Sequence, residues 1–245
     1  MKTNQEFKNS ALDALRGNWG KAVVATLIYV LILSSITGPV VINTNSVKQQ
    51  LTELTGTSLS GYQAAALITS PEFISIQKQA SRTSGISTLL QFFLVLPLSL
   101  GFLNAFRRLL VAGDSQILSN TFRITFSSYW RKTWGMILMY ILIFLWSLLF
   151  IIPGIIKWFS YSMTPFILEE NPELDASSAI HRSRMMMRGH KFDLFYLYLS
   201  FIGWFILGIL TAGIGFLWLA PYVDTSLAAF YEEVKADYAL NGGLD

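Results

Sequence analysis

Four long stretches of the chain contain no charged residue, and this feature limits the fold more than any other. They cover residues 22–47, 83–106, 133–156 and 194–223. A helix needs about 20 mostly apolar residues to cross the hydrocarbon core of a bilayer. Only 13% of all residues are charged, whereas a soluble domain carries about 25%. The sequence therefore predicts an all-α integral membrane protein rather than a soluble or disordered chain.

The stretch 194–223 is too long for a single crossing, because a straight helix of this length would reach about 45 Å. Its Thr-Ala-Gly-Ile-Gly segment at 211–215 supplies a turn, and Pro153-Gly154 breaks the third stretch in a similar way. We therefore predict a polytopic membrane helical bundle with six transmembrane helices in a single integral membrane domain, 1–245. The predicted spans are approximately 22–42, 86–106, 135–152, 155–169, 192–210 and 213–231.

The distribution of Lys and Arg supports the shortest of these spans, 155–169. If it crosses, 14 of the 18 basic residues lie on the side of the N-terminus, as the positive-inside rule requires. Lys157 is then one of the four on the other side. The sequence therefore predicts that both termini are cytoplasmic, that the first span is an uncleaved anchor, and that 43–82 is an external segment. Short helices and a disordered loop are both compatible with the composition of 43–82.

A basic amphipathic stretch precedes each pair of predicted spans, at 7–19, at 121–134 and after Asn171-Pro172-Glu173. The last tripeptide has the form of a helix N-cap followed by proline at the first helical position. Such stretches are typical of interfacial amphipathic helices that bind anionic lipid at the cytoplasmic leaflet. The candidate residues for binding lipid or a partner are Arg182, Arg184, Arg188, Lys191, Arg131 and Lys132.

The same pattern has two explanations. Three repeated units, each made of an interfacial helix and a membrane hairpin, would produce it. Insertion rules that place basic residues before odd-numbered spans would produce it as well.

Asp224 is the one acidic residue that the predicted spans place deep in the membrane, about 16 Å from the turn at Gly213. A carboxylate at that depth should face the bundle interior or water. It could form a proton or cation site with Asn104 or Arg107 as partner. Alternatively, it could act as a clamp between helices near the backbone break at Pro221.

The chain shows no sign of catalytic chemistry. The motifs G-x-S-x-G, G-x-x-x-x-G-K and H-E-x-x-H are absent, and there is no cysteine. His181 and His190 could form an acid–base cluster with Asp175 and Asp193, or they could be polar residues at the level of the lipid headgroups. We predict that the protein is not an enzyme and that it has no catalytic residue, cofactor, metal site or nucleic-acid partner.

Several segments of the C-terminal half form a recognisable set: 162–166 (SMTPF), 170–174 (ENPEL), 183–191 (SRMMMRGHK), 199–204 (LSFIGW), 210–215 (LTAGIG), 221–222 (PY) and 230–232 (FYE). Together they resemble a bacterial multi-pass membrane protein family that is catalogued as domain of unknown function 975. The resemblance extends over about 1–235 and implies a multi-pass bacterial plasma-membrane protein without an assigned activity. The helix between the hairpins also resembles membrane domains attached to some glycerophosphodiester phosphodiesterases, but this chain lacks their catalytic domain.

Two functions are compatible with these features. The first is a non-enzymatic protein that organises or regulates the bacterial envelope through contacts with anionic lipids, a protein partner or a second copy of itself. The second is a small transporter or channel with a buried acid at Asp224.

Overall fold

A computed structural model describes residues 2–34 and 93–241, and every regular element within them is an α-helix. The predicted external segment 43–82 lies outside the described residues, as do parts of the first two predicted spans. The helices are α1 (Asn4–Leu15), α2 (Trp19–Ser34), α3 (Phe93–Ala112), α4 (Ile117–Phe126), α5 (Tyr129–Leu149), α6 (Ile151–Tyr161), α7 (Thr164–Glu170), α8 (Ala176–Met186), α9 (Lys191–Leu199), α10 (Ile202–Leu210) and α11 (Phe216–Asn241).

The chain divides into two compact units. The first comprises 1–29 together with 96–245, and the second comprises 30–95. Of the second unit the structure describes 30–34 and 93–95, which belong to α2 and α3. The packing and the sites described below belong to the first unit.

Four segments of the described chain are long and apolar enough to cross a membrane: Phe93–Ala112, Tyr129–Leu149, Ile151–Glu170 and Lys191–Leu210. The last two each consist of two consecutive helices. A fifth candidate exists if α1 and α2, which meet at 95°, form one broken span. The all-helical fold is therefore confirmed, whereas the count of six crossings stays a prediction.

Short helices pack along longer ones instead of standing apart from them. α1 lies against α11, where the rings of Phe7 and Phe230 meet edge to face with centroids 5.5 Å apart. α4 lies so close to α3 that a Cβ atom on Gly101 would be 2.2 Å from the Thr125 hydroxyl, and this hydroxyl donates a 3.3 Å hydrogen bond to the carbonyl of Pro97. The apolar face predicted for α1 is thus covered by protein, whereas Phe126, Trp130 and Trp134 of the stretch 121–134 are exposed.

α8 packs in the same way against α5, α6 and α7. The buried Ser183 hydroxyl donates to the carbonyl of Ser160 at 3.0 Å and accepts the backbone N–H of Met163 at 3.2 Å. Ser183 thereby bonds both sides of the break between α6 and α7. Because α8 lies along these helices, its Arg184 borders the same cavity as Lys157 of α6.

α8 begins at Ala176, later than the Asn171-Pro172-Glu173 tripeptide predicted. Asp175 is the N-cap, because its carboxylate accepts hydrogen bonds from the first amides of the helix. The Asn171 side chain is occupied elsewhere, since its amide donates to the carbonyl of Ile167 and its oxygen accepts from Arg182.

Each of α1, α4 and α8 is followed by a residue in the left-handed backbone conformation: Gly17 (φ 76°), Ser128 (φ 50°) and Gly189 (φ 84°). Glycine adopts this conformation without steric cost. α1 and α8 correspond in detail at a spacing of 172 residues, which is what a repeated unit predicts. The corresponding pairs are the N-caps Thr3 and Asp175, the buried residues Phe7 and Ala179, Ala11 and Ser183, Leu15 and Met187, and the turn residues Gly17 and Gly189.

Candidate functional site

The N-terminus of α8 is fixed by Asp175. Its carboxylate accepts the backbone N–H of Ser178 at 3.3 Å and that of Ser177 at 3.2 Å. Hydrogen bonds from Ser178 and Ser177 hold the pKa of the Asp175 carboxyl below its ordinary value. Arg182 donates to the Asn171 side-chain oxygen at 3.0 Å and so ties the helix to the preceding turn.

Three of the predicted lipid- or partner-binding residues lie at the surface, further along the chain than the N-terminus of α8. Arg184 and Arg188 are exposed, and Lys191 is half-buried. Within the described ranges none of the three forms an ion pair with a carboxylate. Phe192, next in the chain, is 73% exposed. This set of four, Arg184, Arg188, Lys191 and Phe192, is called the basic surface below.

The other two predicted binding residues are engaged inside the protein. Arg131 donates to the carbonyls of Leu168 at 2.6 Å and Leu174 at 3.1 Å, and so satisfies backbone groups at the end of α7. The Lys132 side chain is only 2% exposed and forms an ion pair with Glu169. Both residues therefore hold α5 to α7 rather than presenting their charge to the surroundings.

An ion-pair network joins the ends of α3, α7 and α11, and sequence reasoning missed it. The Glu170 carboxylate accepts from Arg107 at 2.9 Å, from the Tyr231 hydroxyl at 2.5 Å and from Lys235. Arg107 also donates to Glu232 at 2.5 Å. A second chain of contacts, from Arg108 to Glu169 at 2.8 Å and on to Lys132, lies beside it.

A signal for this network is present in the sequence. Three apolar stretches each end in a doublet of charged residues: Arg-Arg at 107–108, Glu-Glu at 169–170 and Glu-Glu at 232–233. One basic and two acidic doublets at the ends of packed helices are complementary in sign, and opposite charges in a region of low dielectric attract strongly. Comparing the ends of the stretches with one another would have found the network.

Asp224, Asn104 and Arg107, which the sequence grouped as one intramembrane polar site, are not joined by any contact among the described residues. The Asn104 amide donates to the carbonyls of Leu100 and Pro165, both at 3.0 Å. Asn104 therefore connects α3 to α7. Arg107 serves the ion-pair network.

Asp224 has tyrosines as its polar neighbours. The side chains of Tyr29 and Tyr198 are near enough to its carboxylate to interact electrostatically. In the part of the chain that the structure describes, Asp224 forms no ion pair.

The two histidines lie in different surroundings, so the cluster of two histidines and two aspartates is not assembled. His190 contacts Asp237 at 3.0 Å and Asp193 at 3.4 Å. His181 is exposed on α8, and Asp175 caps that helix. Within residues 2–34 and 93–241 no group of three or more acidic or histidine side chains is arranged to hold a metal ion.

A cavity of about 260 Å³ lies between α8 and the α5–α6 pair and is called the cationic pocket below. Lys157 contributes its ammonium group, which lies 4.2 Å from the ring centroid of Trp146. Arg184, which the count of basic residues placed on the other side of the membrane from Lys157, borders the same cavity. The lining residues are Leu142, Trp146, Lys157, Tyr161, Ser177, Ile180, His181 and Arg184.

A second cavity of about 500 Å³ lies between α1, α10 and α11 and is called the apolar groove below. Its walls are almost entirely hydrophobic and include three tryptophans. The lining residues are Leu12, Trp19, Trp204, Leu207, Gly208, Thr211, Gly215, Trp218, Leu219 and Tyr222.

Taken together, these features define an all-helical protein in which several helices are long and apolar enough to cross a membrane. Comparison with known families identifies it further. The chain belongs to the family described as "Protein of unknown function (DUF975)", which matches residues 1–238, and the resemblance seen in the sequence is thereby confirmed. No curated protein and no solved structure matches the chain.

Proposed function

We propose that the protein is a non-enzymatic membrane protein that organises or regulates the bacterial envelope by binding anionic lipid, or an acidic partner, at its cytoplasmic face. One observation carries this proposal. In the described chain the three cations of the basic surface form no ion pair with a carboxylate, whereas the basic residues of the network between α3, α7 and α11 do. The basic residues that form ion pairs are Lys2, Arg16, Arg107, Arg108, Lys132 and Lys235.

The chemistry of the basic surface suits an anionic leaflet. Each Lys or Arg near such a surface contributes about 1 kcal/mol of attraction, and an exposed aromatic ring beside it, here Phe192, favours the boundary between lipid and water. Internal ion pairs would cancel this attraction, so their absence from Arg184, Arg188 and Lys191 in the described chain supports an external anionic ligand.

The test is retention of lipid by the full chain in nanodiscs that contain zwitterionic and anionic phospholipids. Replacing Arg184, Arg188 and Lys191 by glutamine should abolish the enrichment of anionic lipid around the protein, as measured by native mass spectrometry. The matched control is the charge-preserving variant Arg184→Lys, Arg188→Lys, Lys191→Arg, which should keep the enrichment. Equal enrichment in the glutamine variant and the native chain would refute the proposal.

A transporter or channel is the second candidate, and the surroundings of Asp224 favour it. This acid lies among tyrosines and has no described cationic partner, which are properties of an intramembrane ion or proton site. Proteoliposomes that report proton and cation flux test this candidate directly. Flux should be present in the native chain and lost in Asp224→Asn but not in Asp13→Asn, whose carboxylate is on the surface of α1. Flux that is unaffected by Asp224→Asn would refute a transport site at Asp224.

A further inference from the structure

The cationic pocket combines several groups that bind anions and has no acidic group in its lining. Lys157 and Arg184 supply positive charge, and His181, Tyr161 and Ser177 supply side chains that can donate hydrogen bonds. An arginine and a lysine that converge on one cavity suit the oxygens of a phosphate, to which ionised donors form the strongest hydrogen bonds.

No carboxylate within residues 2–34 and 93–241 forms an ion pair with Lys157. Its ammonium group lies over the rings of Trp146 at 4.2 Å and Tyr161 at 5.9 Å, and ring faces attract a cation without cancelling its charge. Lys157 and Arg184 are also near enough to repel each other. An anion between the two would convert this repulsion into attraction.

The apolar groove offers a comparison, because part of its lining lies at matching positions of the internal pattern seen in the sequence. Trp204, Gly215 and Leu219 of the groove lie 58 residues after Trp146, Lys157 and Tyr161 of the pocket, and Leu12 lies 172 residues before Arg184. The first of these positions is a tryptophan in both cavities, Trp146 in the pocket and Trp204 in the groove. The other three positions are polar or charged in the pocket and apolar or glycine in the groove.

The groove, which is built from another hairpin and another short helix, thus forms without polar residues at these positions. A lysine, a tyrosine and an arginine that replace glycine and leucine at three places around one cavity therefore indicate a ligand of opposite charge.

We propose that the cationic pocket is a binding site for a single phosphate group, held by Lys157 and Arg184 and oriented by Tyr161, Ser177 and His181. The proposal rests on the proposed function, since it identifies the anionic chemistry that the protein recognises. A phospholipid headgroup and a soluble phosphate compound share this chemistry. Basic pockets between membrane helices are known to take phosphorylated headgroups. Ile141, Phe144 and Leu145 on α5 are all more than 45% exposed and offer an apolar surface next to the pocket for acyl chains.

The experiment measures thermal unfolding of the full chain in a neutral detergent, with one of three additives at increasing concentration. These are dioleoyl phosphatidic acid in mixed micelles, inorganic phosphate, and oleate, which is anionic but has no phosphate. We expect a saturable rise in Tm with phosphatidic acid and a smaller effect of oleate. A similar saturable rise with inorganic phosphate identifies the ligand as a soluble phosphate, and its absence identifies a lipid headgroup; both results support the site.

Variants then locate the site. Lys157→Met should weaken the apparent affinity for the phosphate ligand about tenfold or more, because one charge-assisted contact is lost. Lys157→Arg should keep it. Tyr161→Phe, which removes only a hydroxyl group, provides a second measurement that does not depend on how well Lys157→Met folds. The unliganded Tm of each variant reports on folding.

The control separates this site from the part of the basic surface that lies outside the pocket. Arg188→Gln removes one charge outside the pocket and should leave the affinity unchanged, although it weakens the general enrichment of anionic lipid. If oleate acts as strongly as phosphatidic acid, or if both Lys157→Met and Tyr161→Phe bind like the native chain, the phosphate site is overturned. The function proposed for the basic surface would stand after either result.

Discussion

At the scale of single residues, Glu170 shows how charge is accommodated in this apolar protein. Its carboxylate is 24% exposed and receives donors from α3 and α11. Taking a charge out of water costs several kcal/mol unless partners and hydrogen bonds compensate. Arg107, Tyr231 and Lys235 provide this compensation, so Glu170 holds the ends of three helices together.

Removing the negative charge of Glu170 should therefore destabilise the fold. We expect Glu170→Gln to lower the free energy of unfolding by about 2–3 kcal/mol, somewhat less than the 3–5 kcal/mol typical of a fully buried pair, because the site is partly open to solvent. The loss should appear as a lower midpoint in chemical unfolding of the detergent-solubilised chain.

Glu173→Gln is the matched control, since Glu173 is exposed and only three residues away. Its unfolding midpoint should equal that of the native chain. Equal midpoints for Glu170→Gln and Glu173→Gln would show that the network contributes nothing to stability.

The sequence indicates which residues need partners at this scale but not which partners they obtain. Arg107 was grouped with Asp224, whereas the structure pairs it with Glu170 and Glu232, which are 63 and 125 residues away in the chain. Which carboxylates pair with Arg107 depends on how far α7 and α11 extend past the apolar region. No local pattern contains that information.

At the scale of secondary-structure elements, periodic and charge-free stretches predict where helices occur but not what covers them. Four predicted spans correspond to α5, α6–α7, α9–α10 and α11, because uninterrupted apolar runs leave few alternatives to a helix. The sequence also predicts the short helices. It does not predict that they pack against α3, α11 and α5–α7, because the sequence pattern of an apolar helix face is the same whether lipid or protein covers that face.

The N-cap of α8 leads to a prediction with a defined pH dependence. Since the carboxylate form of Asp175 accepts the hydrogen bonds, its folded-state pKa is lowered, and its contribution is present above the ordinary pKa of 3.8 and lost as pH falls through the folded pKa. Asp175→Ala should lower Tm by about 2 °C at pH 7. The difference from the native chain should shrink as pH falls below 4.

Asp175→Asn provides the comparison, because an asparagine also caps a helix but does not titrate in this range. Its Tm difference from Asp175→Ala should stay constant between pH 7 and pH 3. If the native chain and Asp175→Ala differ equally at both pH values, ionisation of Asp175 plays no part in the cap.

At the scale of the whole molecule, the cationic pocket brings together two basic residues that the positive-inside count separates. The positive-inside count treated Lys157 as one of the few basic residues on the far side. Because α8 packs back along α5 and α6, Lys157 and Arg184 border one cavity. A count of charges along the chain cannot detect a connecting helix that packs along the spans beside it. The count assumes that every residue between two spans lies beyond the ends of those spans.

Crosslinking tests this placement, and the chain has no native cysteine to interfere. The double variant Lys157→Cys, Arg184→Cys should form an intramolecular crosslink with a short bifunctional thiol reagent in native membranes. The result should be a faster-migrating band on denaturing gels. Each single variant is a control for crosslinks between molecules and should give no such band.

Failure of the double variant to crosslink, with both single variants reacting normally with a monofunctional reagent, would place the two residues apart. The arrangement of α8 along α5 and α6 would then be incorrect.

The contact between α1 and α11 has a consequence for the order in which the protein is made. Lys2, just before α1, donates a hydrogen bond to Glu233 of α11, although the two residues are 231 positions apart in the chain. A ribosome delivers the chain from the N-terminus onward, and contacts between distant residues form late. Phe7, Ala11 and Leu15, which the finished protein buries almost completely, therefore lack their partner helix until α11 has been synthesised. α1 therefore completes its packing only after α11, although it leaves the ribosome before α11.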